Sequence, residues 1–125
     1  MGEDSLTVLY IEDNVDNRIL VKRVLQAEGY SFLGAGDAME GMLLAHEHRP
    51  DVILVDINMP EMDGLTMTSQ LKTDPIFSMT PVIAITANVM RGDRERTLSA
   101  GCDGYIQKPI DVDQLPNQIV RFLHP

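Results

Sequence analysis

Residues 51–60 read "DVILVDINMP". Four apolar residues, Val52 to Val55, run directly into Asp56, and Met59-Pro60 breaks the chain soon after. A short apolar run bounded by turn formers is the pattern of a strand buried on both faces, the usual state of a strand in a parallel sheet. A charge at the end of such a strand needs a way out of the core. Asp56 is therefore expected where the strand emerges from the sheet.

The same alternation extends in both directions. Strands are expected at Leu6–Ile11, Ser31–Ala35, Val52–Val55, Pro81–Thr86 and Gly104–Gln107. Helical spacing fills the gaps. Leu20, Val21, Val24 and Leu25 make one stripe, with Gly29 placed to cap the helix C-terminally. A second helix begins at "DAME", where Asp37 and Glu40 have capping-box spacing with Asp in place of Ser or Thr. Gly64–Thr73 reads as a third helix and Asn88–Ala100 as a fourth, closed by Gly101. A fifth opens at "DVDQ" and carries Leu115, Ile119, Phe122 and Leu123 at i, i+4, i+7 and i+8. Strands alternating with helices imply an α/β fold, a parallel sheet covered on both faces. Right-handed crossovers send every strand's carboxyl end to one edge, where such folds bind their ligands.

Composition narrows the function classes. The chain has 125 residues, enough for one domain with a substantial core, and 44% of them are hydrophobic. No apolar run approaches the ~20 residues of a membrane span, and the N-terminus has no signal-type pattern, so membrane insertion and export are not expected. The formal charge of −9 opposes direct contact with nucleic acid. The single cysteine, Cys102, cannot make an internal disulfide, which suits a cytoplasmic setting.

At the carboxyl edge one residue set converges. Glu12 and Asp13 follow the first strand, Asp56 the third, Thr86 the fourth and Lys108 the fifth. Each has an ordinary explanation alone: acidic residues favour a helix N-terminus, Asn14 is a plausible N-cap, and a lysine is commonly a solvated surface charge. Together they are harder to explain by stability. Three carboxylates in one place repel one another, and a divalent cation resolves the repulsion. Hard oxygen ligands suit Mg²⁺, which takes one or two carboxylates and keeps several waters. With a lysine and a hydroxyl added, the set suits a phosphoryl group, and an aspartate can attack phosphorus to form an acyl phosphate.

"YIEDN", "ILVDINMPEMDG", "IAITA" and "GYIQKPI" resemble, in order and spacing, the motifs of the response-regulator receiver domain. The resemblance runs from Leu6 to about Leu123, so residues 1–125 are read as a single receiver domain. It implies a doubly wound, flavodoxin-like sheet of five parallel strands in the order 2-1-3-4-5, with five helices. It implies Asp56 as the phosphoacceptor, Asp13 as a direct Mg²⁺ ligand, Glu12 as its neighbour acting through water, and the Asn58 backbone carbonyl as a further ligand. Thr86 matches the switch hydroxyl, Ala87 the small residue beside it, Tyr105 the switch aromatic and Lys108 the phosphoryl-pairing base. Pro109 is expected to follow a cis peptide bond. Glu12 stands where aspartate is commoner, and neutral Asn58 and Asn88 occupy positions that influence the lifetime of the phosphorylated form.

The implied activity is acceptance of a phosphoryl group from a histidine kinase or histidine phosphotransfer protein. The domain would catalyse only its own phosphorylation and dephosphorylation, and would not be an enzyme in the wider sense. Output is expected through a protein partner on the face built by the fourth helix, the fifth strand and the fifth helix. "RGDRER" gives the fourth helix few apolar anchors, so it should shift more easily than the others. A stand-alone regulator fits the starting Met and the ending "FLHP"; a receiver from a hybrid kinase, acting as a phosphorelay intermediate, is the alternative. A metal-dependent phosphatase of the haloacid dehalogenase kind wants an acid two residues past its nucleophile, where Asn58 stands. A flavin-binding fold wants a Ser/Thr/Gly-rich phosphate loop after the first strand, where "EDNVDN" would repel a phosphate without metal.

His46 and His48 stand at i and i+2 of a helix, on different faces, so they read as cations near a helix C-terminus rather than a metal pair. The methionines, Met39, Met42 and Met67 among them, read mainly as core or loop packing, with Met59 and Met62 beside Asp56.

Overall fold

A computed structural model describes residues 6–57, 64–86 and 98–123. Five parallel strands form one sheet: β1 (Thr7–Ile11), β2 (Ser31–Ala35), β3 (Val52–Asp56), β4 (Val82–Thr86) and β5 (Gly104–Gln107). Their order is β2-β1-β3-β4-β5, as the family resemblance implies. Among the described residues there are four helices: α1 (Val15–Ala27), α2 (Ala38–His48), α3 (Gly64–Thr73) and α4 (Leu115–Leu123). The helix expected over 88–100 lies largely outside the described residues. Its last turn is present, and Gly101, at φ 103°, donates its N–H to the Leu98 carbonyl at 3.0 Å.

The strands obey the period of two expected of pleated backbone. Leu9, Ile11, Ile53 and Val55 face one side and pack with Ala38, Ala45, Met67 and Leu71 of α2 and α3. Val8, Tyr10, Val52 and Leu54 face the other and pack with Val21, Leu25, Leu115 and Ile119 of α1 and α4. Every residue of β3 and β4 is buried, which is why these strands read as unbroken apolar runs.

Helix termini follow the local signals. Asn14 caps α1 by accepting the Asn17 amide at 3.0 Å, and Asp37 caps α2 by accepting the Glu40 amide at 2.7 Å. The Glu40 carboxylate reaches back one residue beyond the cap, to the Gly36 N–H at 2.8 Å, so the capping box is displaced by one position. At the end of α1, Gly29 (φ 92°) donates to Gln26 O at 3.1 Å and Tyr30 donates to Leu25 O at 3.0 Å, the paired bonds of a Schellman motif.

Some expectations need correction. Leu20 fits the stripe of α1 by spacing, but it is 42% exposed because the buried part narrows to Val21, Leu25 and half-buried Val24. Met39 is 84% exposed on the outer face of α2, whereas Met67 is fully buried, so only part of the methionine set is core. The last helix begins at Leu115, with 112–114 forming a turn held by the Asp111 carbonyl. Asp56 itself is the final residue of β3 rather than the first beyond it.

His46 clips α2 to the segment after α3. Its Nδ1 lies 2.9 Å from the Met42 carbonyl and its Nε2 lies 3.0 Å from Asp74 Oδ2. Both partners are acceptors, so both ring nitrogens must donate, and only the imidazolium does so. The bond to the Met42 carbonyl and the Asp74 carboxylate accordingly raise the His46 pKa above its ordinary value. This contribution to stability is complete below the unfolded pKa, about 6.5, and disappears as pH rises through the folded value. NMR titration should place the His46 ring above an ordinary histidine, with the value falling back in Asp74→Ala; an unshifted ring would refute the clip.

Candidate functional site: an acidic cluster at the carboxyl edge

The pairing of strands explains why acidic side chains meet. In the β1–β3 ladder Tyr10 lies opposite Leu54 and Ile11 opposite Val55. One step further along the same register puts Glu12 beside Asp56. Asp13 is the next residue out. One oxygen from each of Glu12, Asp13 and Asp56 can be chosen so that all lie within 4.8 Å of one another. Glu12 and Asp56 are 1% and 3% exposed, while Asp13 is open to solvent.

The β4–β5 ladder delivers the other side of the site. Thr86 pairs with Gln107, and the Lys108 N–H donates to the Thr86 carbonyl at 2.7 Å. The Lys108 ammonium then reaches back across the edge. Its Nζ lies 3.1 Å from Asp56 Oδ2 and 3.1 Å from Glu12 Oε1. Burial by itself would lower the Lys108 pKa, but the hydrogen bonds to Glu12 and Asp56 outweigh it and hold the ammonium above its ordinary value. Burial would likewise raise Glu12; the hydrogen bond from Lys108 and its positive charge oppose this, and the carboxyl is held well below the usual range.

The remaining residues singled out in the sequence lie nearby in the fold. Thr86 is buried at the end of β4. Tyr105 is half-buried on β5, opposite Ala84. The Lys108–Pro109 peptide bond is cis, as the resemblance implies. Asn58, Ala87, Asn88, Met59 and Met62 lie outside the described residues.

Three contacts to Glu12 have no direct sequence signature. Tyr10 Oη donates to Glu12 Oε1 at 3.0 Å, Asn17 Nδ2 donates to the same oxygen at 3.2 Å, and the Arg18 guanidinium donates to the Glu12 carbonyl. The Tyr10 phenol is held far above its usual pKa by burial and by the Glu12 charge, so it remains a donor. An indirect signal for the first exists: Tyr10 and Glu12 are two residues apart at the end of a strand and share a face. Beside the cluster an open groove of about 420 Å³ is lined by Asn17, Leu20, Lys108, Pro109 and Ile110.

Chemically, the cluster sets three carboxylates against one ammonium. Lys108 neutralises at most one of them, so negative charge is left over in a largely buried place. Oxygen ligands, partial burial and an outward-facing Asp13 fit a small hard cation that keeps part of its water shell.

Known proteins resemble this chain over nearly its whole length. The response regulator receiver domain model matches residues 8–120. The polar-differentiation response regulator DivK of Brucella anthropi is 43% identical over 117 residues, covering 94% of this chain and 95% of the relative. DivK of Brucella ovis is 42% identical over the same length. Among solved structures, the chemotaxis protein CheY4 of Vibrio cholerae superposes with a TM-score of 0.91 at 28% identity, covering 95% of this chain and 99% of that one. The receiver domain of a Pseudomonas aeruginosa sensor histidine kinase, solved with a magnesium ion coordinated in its active-site cleft, gives a TM-score of 0.88 at 30% identity, covering 97% and 99%.

Proposed function

Because this chain belongs to the response-regulator receiver family, we propose that it accepts a phosphoryl group on Asp56 with the help of Mg²⁺ and passes the change on through protein contacts. The observation that carries this reading is the convergence of Glu12, Asp13 and Asp56 within 4.8 Å, with Lys108 bridging Glu12 and Asp56 at 3.1 Å. Asp13 and Asp56 are the carboxylates assigned to hold the cation, with Glu12 acting through a bound water and the Asn58 carbonyl assigned by resemblance. Mg²⁺, when bound, supplies positive charge that lets the carboxylates and the phosphoryl oxygens sit together.

The chain's own residues do the rest. An Asp56 carboxylate oxygen forms the new bond to phosphorus while the bond to the donor's leaving group breaks, and the leaving group departs with that electron pair. Lys108 gives up its contact with Asp56 and pairs with a phosphoryl oxygen, keeping an anion as its partner throughout. The Thr86 hydroxyl donates to a second phosphoryl oxygen, with Ala87 assigned as the small neighbour that leaves it room. Thr86 moves toward the new charge, and Tyr105, half-buried on the adjoining strand, follows it.

The donor is a phosphohistidine on a histidine kinase or histidine phosphotransfer protein. The groove lined by Leu20, Pro109 and Ile110 beside Lys108 gives a donor protein an apolar approach to the site. Output contacts are assigned to the 88–100 segment, β5 and α4, where Leu98 and Val120 are 47% and 41% exposed. No described helix is long and apolar enough to cross a membrane, and the charge of −9 argues against a nucleic-acid target. We place this single receiver domain in the cytoplasm.

Incubation with acetyl phosphate or phosphoramidate, followed by intact-mass measurement, tests the proposal. One phosphoryl adduct is expected with Mg²⁺, none with a chelator, and none in Asp56→Asn. An adduct that persists in Asp56→Asn would remove Asp56 from its role.

A further inference from the structure

Glu12 has one more rotatable bond than an aspartate and must lose more rotamer freedom to act at a fixed place. Its surroundings restrict it beforehand. Oε1 accepts from three donors on three parts of the chain: Tyr10 Oη of β1 at 3.0 Å, Asn17 Nδ2 of α1 at 3.2 Å and Lys108 Nζ beyond β5 at 3.1 Å. Oε2 has a main-chain donor, the Asn14 N–H, only at a long 3.4 Å. One oxygen is thus committed to protein and the other is more lightly held, on a residue that clusters with Asp13 and Asp56.

Tyr10 is fully buried, in a layer of Val8, Val21, Leu25 and Leu54. A phenylalanine would fill that volume without the cost of burying a hydroxyl, which needs a partner there. The hydroxyl's partner is the Glu12 carboxylate. We propose that Tyr10 is a positioning residue for the cation site: its hydroxyl, assisted by the Asn17 amide, pins Glu12 Oε1 so that Oε2 is presented to the water shell of the divalent ion. This rests on the reading that Glu12, Asp13 and Asp56 hold Mg²⁺, and it explains how the longer acid serves at this position. Groups that orient a metal's ligands without touching the metal commonly change affinity by about 10–100-fold. Since Glu12 acts through water and retains Lys108, the lower end is expected here.

The test is a Mg²⁺ titration by calorimetry at fixed pH and ionic strength on the full chain, Tyr10→Phe, Glu12→Asp and the double variant, with the thermal midpoint of each measured in chelator. Tyr10→Phe should weaken Mg²⁺ binding about tenfold while its metal-free midpoint stays close to the parent. Glu12→Asp, one methylene shorter, should release its carboxylate from the phenol. Adding Tyr10→Phe in that background should then change Mg²⁺ affinity little, the non-additivity expected of a contacting pair. Near-ultraviolet difference spectra give a second readout. The chain has three tyrosines and no tryptophan, so Mg²⁺ should perturb a phenol band in the parent that Tyr10→Phe lacks. Should Tyr10→Phe fail to fold, Asn17→Ala, which removes another donor to the same oxygen, should weaken binding in the same direction.

An unchanged Mg²⁺ dissociation constant in Tyr10→Phe, or an equal loss in both backgrounds, overturns the positioning role and leaves the cation site standing. No saturable Mg²⁺ binding in the parent chain overturns the cation reading and this inference with it.

Discussion

Lys108→Ala is expected to slow phosphoryl acceptance by about 10²–10³-fold while making Mg²⁺ bind more tightly. The two effects have opposite signs for one reason. Lys108 is the ammonium that contacts both Glu12 and Asp56, each at 3.1 Å. In the resting site it competes with a divalent cation for the same carboxylates, so removing it leaves them more attractive to the metal. In the proposed transfer it is the charge that meets the incoming phosphoryl oxygens, and loss of one such preorganised donor costs about 10²–10³ in rate. Mg²⁺ calorimetry and the time course of adduct formation from phosphoramidate measure the two separately. A variant with weaker Mg²⁺ binding and an unchanged transfer rate would reverse both assignments.

Gly41→Val should destabilise the fold by about 3 kcal/mol, a large share of a small domain's total stability. Gly41 is buried on the inner face of α2 against β1. A Cβ at this position would lie 2.7 and 2.8 Å from Ile11 Cδ1 and Cγ1, and 3.1 Å from Met67 Cε. Met67 could retreat, since only the end of its chain is met. Ile11 is fully buried in a strand paired on both sides and has nowhere to go. Valine would add two further methyl groups, and overpacking a dense core costs about 1–3 kcal/mol or more. Relief of glycine's poor helix propensity returns less than ~1 kcal/mol. A Cβ on Gly104 would meet the Phe122 ring more closely still, but Phe122 is half-buried near the end of α4 and can swing outward. Urea denaturation of Gly41→Val checks the estimate. A loss below about 0.5 kcal/mol, the scale of an ordinary surface change, would show that Ile11 has slack the packing does not suggest. Because Ile11 immediately precedes Glu12, a folded Gly41→Val should also disturb the acidic cluster.

The sequence was most legible where one physical constraint acts alone. Val52–Val55 and Val82–Ile85 are apolar throughout because parallel strands covered on both faces leave no position for a polar side chain. The caps at Asn14 and Asp37, and the turn at Gly29, were readable because they answer to unsatisfied backbone groups within a few residues. The acidic residues were readable as strand-end residues, since a parallel sheet sends those ends to one edge.

Legibility failed where two distant segments had to be placed together. Leu20 looks like core because its spacing fits the stripe of α1; it borders the groove with Pro109 and Ile110, whose position depends on the chain beyond β5. Tyr10 looks like one more apolar strand residue, and its bond to Glu12 becomes evident only with the direction of both side chains. The link between His46 and Asp74 spans 28 positions and has no local signature. The family resemblance supplied what residue spacing could not, namely the strand order, and it is the source of the individual roles proposed at the site.

The proposed phosphoryl transfer rests on Asp56 being the accepting side chain, among carboxylates proposed to share a divalent ion. The most direct measurement is chemical localisation: phosphorylate the intact chain with phosphoramidate and Mg²⁺, reduce the acyl phosphate with borohydride, and map the peptides by mass. Conversion of residue 56 alone from aspartate to homoserine, absent when Mg²⁺ is chelated, is the predicted result. Conversion at Asp13 instead, or a phosphoryl group recovered on His46 or His48 with residue 56 untouched, would contradict it.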